Sequence, residues 1–225
     1  MRPALGVFCK LLVLLNLGAL PALAQAQRMS FSVRHEHRLG HCEGLLRIDT
    51  NGLAYETPHR AHVRVWPFSD IRQLDILSTK RLVVHTYGKP ESFNFQLGEG
   101  ELTADAYRLL AEHIERGVTS RVLFPATQFR FELPVKHRHR FGGCEGILRI
   151  GTGQVIYETQ NADDRRLWRM RDIRGFGTTG PYDLRLSTEQ ESFTFDLKQP
   201  LNQEVYDHLW QAIYAPQFAP VRNPR

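Results

Sequence analysis

The sequence predicts a mainly β protein with some α: two tandem seven-stranded β-barrels, each closed by a C-terminal helix. Three observations lead there. The chain states one pattern twice, since Val33-Arg-His-Glu-His-Arg-Leu-Gly-His-Cys-Glu-Gly-Leu-Leu-Arg-Ile48 returns without a gap as Val135-Lys-His-Arg-His-Arg-Phe-Gly-Gly-Cys-Glu-Gly-Ile-Leu-Arg-Ile150. The echo continues in Tyr55-Glu-Thr57 and Tyr157-Glu-Thr159, Trp66 and Trp168, Asp70-Ile-Arg72 and Asp172-Ile-Arg174, and Glu91-Ser-Phe93 and Glu191-Ser-Phe193. Self-similarity over roughly a hundred residues is too long for a solenoid and right for a duplicated domain. Second, apolar and polar residues alternate over short runs within each copy, the period of half-buried strands. Third, the end of each copy changes to apolar spacings of three and four, the period of an amphipathic helix.

In the first copy, Phe31, Val33, His35 and His37 share one parity, while Ser32, Arg34, Glu36 and Arg38 share the other. This predicts a strand with one inward face. Gly44 to Ile48 and Leu53 to Thr57 predict two more. Between them Asp49-Thr-Asn-Gly52 carries the Asn-Gly pair that supplies the positive backbone angles of a tight hairpin, a role open to Gly151-Thr-Gly153 in the second copy. A polar loop follows, His59 to His62 or Asn161 to Arg165. Strands are then expected around Val65-Trp66 and from Ile71 to about Leu77, with Pro67 marking an edge or bend. Leu82, Val84 and Thr86 alternate in the sixth strand and Phe93, Phe95 and Leu97 in the seventh, matched by Leu184, Leu186, Thr188 and Phe193, Phe195, Leu197. Tyr107, Leu110, Ala111 and Ile114 form one helical face, opened by Thr103 as a cap and stopped by Gly117. Asn202 caps the counterpart, whose stripe is Tyr206, Leu209, Trp210 and Ile213.

Ahead of the first strand, residues 1–26 have the pattern of a secretory signal peptide: Arg2 and Lys10 at a charged start, a short apolar core from Leu11 to Leu20, and small residues at cleavage spacing in Ala22-Leu-Ala24 or Ala24-Gln-Ala26. Asn16, Gly18 and Pro21 interrupt the apolar run, which falls short of the roughly 20 residues of a retained span. No later stretch is apolar enough to cross a bilayer. An exported protein, periplasmic or secreted, with no transmembrane segment after cleavage is therefore expected. The formal net charge of +5 drops further with Arg2 and Lys10, and so mild a balance argues against nucleic acid as a partner. The excess of arginine over lysine fits a GC-rich bacterial genome. Cys42 and Cys144 survive processing at equivalent places, and export favours a disulfide. Each shares parity with an inward row, however, which puts the sulfurs in separate cores beyond bonding reach. Buried free thiols are expected.

Seven short strands followed by a helix resemble the pleckstrin-homology superfold, more closely its GRAM-like and bacterial branches than the signalling version. The resemblance is carried by the strand Gly44-Leu-Leu-Arg-Ile48 leading to a Gly52-x-x-Tyr55 hairpin, the strand start Asp70-Ile71, Phe93-x-Phe95 and the closing helix. It covers about residues 31–116 and 131–215. Trp210 stands where signalling members keep a tryptophan, although the first copy has Ala111 there. The expected division is one such domain over 29–117, a linker over 118–128 whose Val122, Leu123 and Phe124 pack between domains, a second domain over 129–215, and a disordered tail over 216–225.

Two features could carry chemistry. The pairs His35-x-His37 and His137-x-His139 place imidazoles on one strand face about 6–7 Å apart, close enough to share a metal. His41 or Glu43 could join the first pair and Glu145 the second, but Gly143 replaces His41, and a competing reading has these histidines bonded to neighbouring backbone or carboxylates. The opposite parity carries Arg34, Glu36 and Arg38, then Lys136, Arg138 and Arg140. The second set resembles the Lys then Arg-x-Arg cluster with which some pleckstrin-homology domains hold phosphorylated headgroups, although here it precedes the first turn; a solvated basic face competes. No nucleophile elbow, zinc-protease helix or phosphate loop is present. The repeated carboxylates Glu43 and Glu145, Glu56 and Glu158, and Asp70 and Asp172 sit beside arginines as loop anchors rather than acid–base pairs. The sequence thus predicts an exported, non-enzymatic binding or interaction module without a cofactor. Its ligand would be an anionic lipid headgroup, another envelope component or a protein partner, held by Lys136, Arg138, Arg140, Arg34 and Arg38. The alternative is a small metal-binding protein that uses the His-x-His strands.

Overall fold

The computed structural model describes residues 28–37, 40–89, 91–115, 117–124 and 128–218. The expected signal peptide, Arg38 and residues 219–225 lie outside them. The first copy forms β1 (Met29–His37), β2 (Gly40–Asp49), β3 (Gly52–Glu56), β4 (Arg64–Pro67), β5 (Ile71–Ser78), β6 (Arg81–Thr86), β7 (Ser92–Leu97) and helix α1 (Ala104–His113). After β8 (Val118–Ser120), the second copy forms β9 (Phe131–Arg138), β10 (Gly143–Ile150), β11 (Gln154–Thr159), β12 (Arg166–Arg169), β13 (Gly175–Gly177), β14 (Asp183–Ser187), β15 (Ser192–Leu197) and helix α2 (Gln203–Phe218). Registers recur between the copies. Val33 lies opposite Gly44 and His35 opposite Cys42, as Val135 lies opposite Gly146 and His137 opposite Cys144.

Two closed barrels do not form, which corrects the expected fold. All the strands belong to one 15-stranded sheet with β13 and β4 at its open ends. The splice is β8, inside the segment expected to be a linker. It runs parallel to β5, with Val118 beside Leu74, and antiparallel to β12, with Thr119 beside Trp168. A strand flank pairs its N–H and C=O groups once, and β8 takes the outer flanks of β5 and β12 that barrel closure would have used.

Two cores lie along this sheet. Leu46, Ile48, Tyr55, Leu74, Phe95 and Leu110 belong to the first, and Leu148, Tyr157, Trp168, Phe195 and Leu209 to the second. Strands β11 and β12 serve both, because successive side chains of a strand face opposite sides. Ile156 and Leu167 enter the first core while Val155, Tyr157 and Trp168 enter the second. Burial on both faces explains why Val155-Ile156-Tyr157 reads as a continuous apolar run. Phe124 stacks on Tyr107 with ring centroids 4.5 Å apart, so the apolar part of the expected linker packs on the first core.

Thr103 caps α1 as expected, its hydroxyl accepting from the Ala106 N–H at 3.2 Å. Gly117 has a φ of +78°, and a Cβ there would stand 2.6 Å from the Arg72 carbonyl oxygen. Asn202 caps α2 through the Val205 N–H at 2.8 Å. The buried stripe of α2 is Val205, Leu209 and Ile213; of the expected face Leu209 and Ile213 are buried, while Tyr206 and Trp210 are not. Trp210 is 49% exposed and packs on Tyr206 and Tyr214 outside the core. The helix also runs to Phe218, past the expected start of the tail.

Candidate metal centres

The end of β1 lies against the start of β2, which sets His35 opposite Cys42; β9 and β10 do the same for His137 and Cys144. The third strand of each copy pins this corner. The Tyr55 hydroxyl donates to the Cys42 carbonyl at 2.9 Å and the Tyr157 hydroxyl to that of Cys144 at 2.6 Å. Thr57 and Thr159 donate to the carbonyls of Glu43 and Glu145 at 2.9 and 2.7 Å. The loop after that strand then delivers one further donor, His62 in the first copy and Asp164 in the second.

In the first centre, His37 Nε2 is 3.2 Å from Cys42 Sγ, which is 3.1 Å from His62 Nδ1. The His35 ring lies 4.3 Å from that of His37, and the His59 ring 5.9 Å from that of His62, centroid to centroid. In the second, Asp164 Oδ2 is 2.8 Å from His139 Nε2 and Asp164 Oδ1 is 3.8 Å from His137 Nδ1. Asn161 Nδ2 lies 3.3 Å from Asp164 Oδ2 and 3.7 Å from Cys144 Sγ. Within each trio, His37, Cys42 and His62 or His137, His139 and Asp164, the ligand atoms lie within 4.8 Å of one another. One ion with donor bonds of about 2.0–2.3 Å spans such a set.

His35 and His137 are buried at 7% and 8% exposure among Tyr55, Phe93 and Phe95 or Tyr157, Phe193 and Phe195. Burial, then the neighbouring His37, His62 and Arg64, holds His35 down to about 4. Burial also lowers His37, and it lowers His137 against the opposing pull of Asp164. Neutral imidazole is the form that binds metal. Buried polar atoms normally find partners. Nδ1 of both His35 and His137 has no hydrogen-bond partner among the described residues, while His139 meets the Asp164 carboxylate as the competing structural reading expects. Both cysteines are free; Cys42 is buried as expected, whereas Cys144 is half-buried. A hydrogen bond with Asp164 pushes the Cys144 thiol up. Beside Cys144 and Asn161 opens a cleft of about 780 Å³, with Glu158, Arg165 and Lys198 in its wall.

The basic residues do not gather into a free row. Arg138 Nη2 is 2.5 Å from Asp196 Oδ1, and that guanidinium holds the Asp196 carboxyl below its usual range. Lys136 lies in register between Glu145 and Asp196. Arg140 follows the end of β9, its guanidinium 5.4 Å from the Phe141 ring centroid. Arg34 is exposed on β1 of the other copy, and Arg38 lies outside the described residues. The carboxylates Glu56, Glu158 and Asp172 pair with Arg47, Arg149 and Arg169. Glu145 turns to Lys198 at 3.0 Å rather than to the histidines. Sequence reasoning missed His62, Asp164 and the cysteines as donors. A signal was present: the gapless repeat between Tyr55 and Trp66 and between Tyr157 and Trp168 puts His62 and Asp164 at one position.

No family model matches the chain, and no curated protein does. Among solved structures the chain is similar to the C-terminal domain of an unknown protein from Leishmania infantum, at 10% identity and a TM-score of 0.32, over 38% of this chain and 84% of that one. It is also similar to the Spt16D Pob3N heterodimer, at 11% identity and a TM-score of 0.32, over 72% of this chain and 83% of that one. Among the described residues no helix is long and apolar enough to cross a membrane.

Proposed function

We propose that the protein binds transition-metal ions, with one centre in each copy. The recurrence carries this reading. In both copies a His-x-His strand, a facing cysteine and a loop donor meet at one corner, and three of these groups lie close enough to share an ion, His37, Cys42 and His62 in the first copy and His137, His139 and Asp164 in the second. Imidazole, thiolate and carboxylate within reach of one another are the donors of zinc, copper and iron sites. The leader pattern of residues 1–26 supports export. Within each copy the neighbour order, β5-β6-β7-β1-β2-β3-β4 and its counterpart, followed by a helix, supports a pleckstrin-homology-like origin. A headgroup site has less support, because Asp196 neutralises Arg138 and Lys136 stands between two carboxylates.

The test is titration of chelator-treated, metal-free protein with Zn²⁺. Two equivalents should bind, and the unfolding midpoint should rise, since an ion at 100 times its Kd stabilises the folded state by about 2.7 kcal/mol per site. His37→Ala combined with His139→Ala, both changes at exposed side chains, should remove binding at both centres. A midpoint unmoved by Zn²⁺, Co²⁺ and Ag⁺ alike would overturn the reading.

A further inference from the structure

Resting on the two-centre reading, we infer that the centres have diverged in donor chemistry: the first takes a thiophilic ion through Cys42, and the second takes a harder divalent ion through Asp164. In the first centre sulfur is the hub, since Cys42 Sγ lies 3.2 Å from His37 Nε2 and 3.1 Å from His62 Nδ1, and no carboxylate belongs to the trio. The surroundings are imidazole as well. His35 packs on His37 and His59 on His62. Two imidazoles and a thiolate make a soft set, which favours monovalent copper and zinc over oxygen-seeking ions.

In the second centre the hub is a carboxylate. Asp164 reaches His139 Nε2 at 2.8 Å and stands 3.8 Å from His137 Nδ1, while Cys144 lies outside the trio, hydrogen-bonded to Asp164 and Asn161 at its margin. Relative to the first copy, Gly143 replaces His41, Asn161 replaces His59 and Asp164 replaces His62. At the loop, two imidazoles have left this corner and one carboxylate has entered. Two imidazoles and one carboxylate leave coordination positions open and suit divalent iron, manganese or zinc. A chain built this way directs two different ions to separate places, which two identical centres cannot do.

Cobalt separates the alternatives, because thiolate-bound Co²⁺ shows an intense near-ultraviolet charge-transfer band that imidazole and carboxylate ligands do not give. Metal-free full-length protein should bind two equivalents of Co²⁺ with the band of a single thiolate bond. Cys42→Ser should lose the band and keep one equivalent; Cys144→Ser should keep both. Ag⁺, a redox-inert stand-in for monovalent copper, should displace one equivalent and the band with it. His62→Asp, a loop change that carries the test if Cys42→Ser does not fold, should weaken Ag⁺ binding by about tenfold or more. A band that survives Cys42→Ser or vanishes in Cys144→Ser, or displacement of both equivalents by Ag⁺, overturns the divergence and leaves two centres standing. Failure to bind either ion overturns both inferences.

Discussion

At Gly44 an added Cβ would stand 2.2 Å from the Glu56 carbonyl oxygen, and at Gly146 it would stand 2.2 Å from that of Glu158. These strands approach closer than any side chain permits, and the approach brings the Tyr55 and Tyr157 hydroxyls under the cysteine carbonyls. Gly44→Ala is predicted to cost about 1–3 kcal/mol by overpacking. It should also weaken Zn²⁺ binding at one centre of the two, as read by urea denaturation and titration; unchanged binding would detach this contact from the centre. The His-x-His pairs were legible as donors at this scale because strand parity places them, whereas the cysteines read only as buried thiols. The loop donors were not, since periodicity is silent in loops and the donor changes identity between copies.

Among the elements, α2 shows how a helix with two apolar stripes chooses between them. Val205, Leu209 and Ile213 are buried, while the larger Trp210 is outside. Both stripes have helical spacing in the sequence, and only packing against the sheet decides. Leu209→Ala is therefore predicted to cost about 2–5 kcal/mol and Trp210→Ala less than about 1 kcal/mol; similar losses in chemical denaturation would contradict this burial. The turn before β14 offers a pH test. Asp183 accepts the Thr179 N–H at 2.9 Å and the Thr179 hydroxyl at 3.0 Å, and the backbone bond leads in lowering its carboxyl below the usual range. The folded-state value is depressed, so its stabilisation is present at neutral pH and is lost as pH falls through that value. The difference in midpoint between the parent and Asp183→Asn should hold at neutral pH and shrink in acid. Alternating strands such as β6 and β7 were legible, but Val118-Thr119-Ser120 is too short to show a period, and so the splice strand was not.

For the whole molecule, the join between copies is built as a core contact. Arg169, 6% exposed, donates to Asp172 at 2.6 and 2.8 Å and to the carbonyls of Ala111 and Ile114 at 2.5 and 2.7 Å. Asp172 accepts the N–H groups of Gly117 and Val118 at 3.0 and 3.3 Å. Removing one partner strands the other in the interior, so Arg169→Met is predicted to cost about 3–5 kcal/mol by denaturant titration. The shared strands also predict that the full chain unfolds in one calorimetric transition with equal calorimetric and van't Hoff enthalpies. Two resolved transitions would show that the copies are energetically separate. Duplication was plain in the sequence, yet continuity was not, because the repeat describes what the copies share and the join lies in what they do not.

Ile156 and Leu167 complete the first core from the second copy. A chain made from its N-terminus therefore has all of β1 to β7 and α1 in hand while the floor of its first core is still unsynthesised. During that interval the flank of β8 that will meet β12 has unpaired N–H and C=O groups, the kind of edge that recruits strands from other chains. The first core is thus complete only when residues as far along the chain as Leu167 are present.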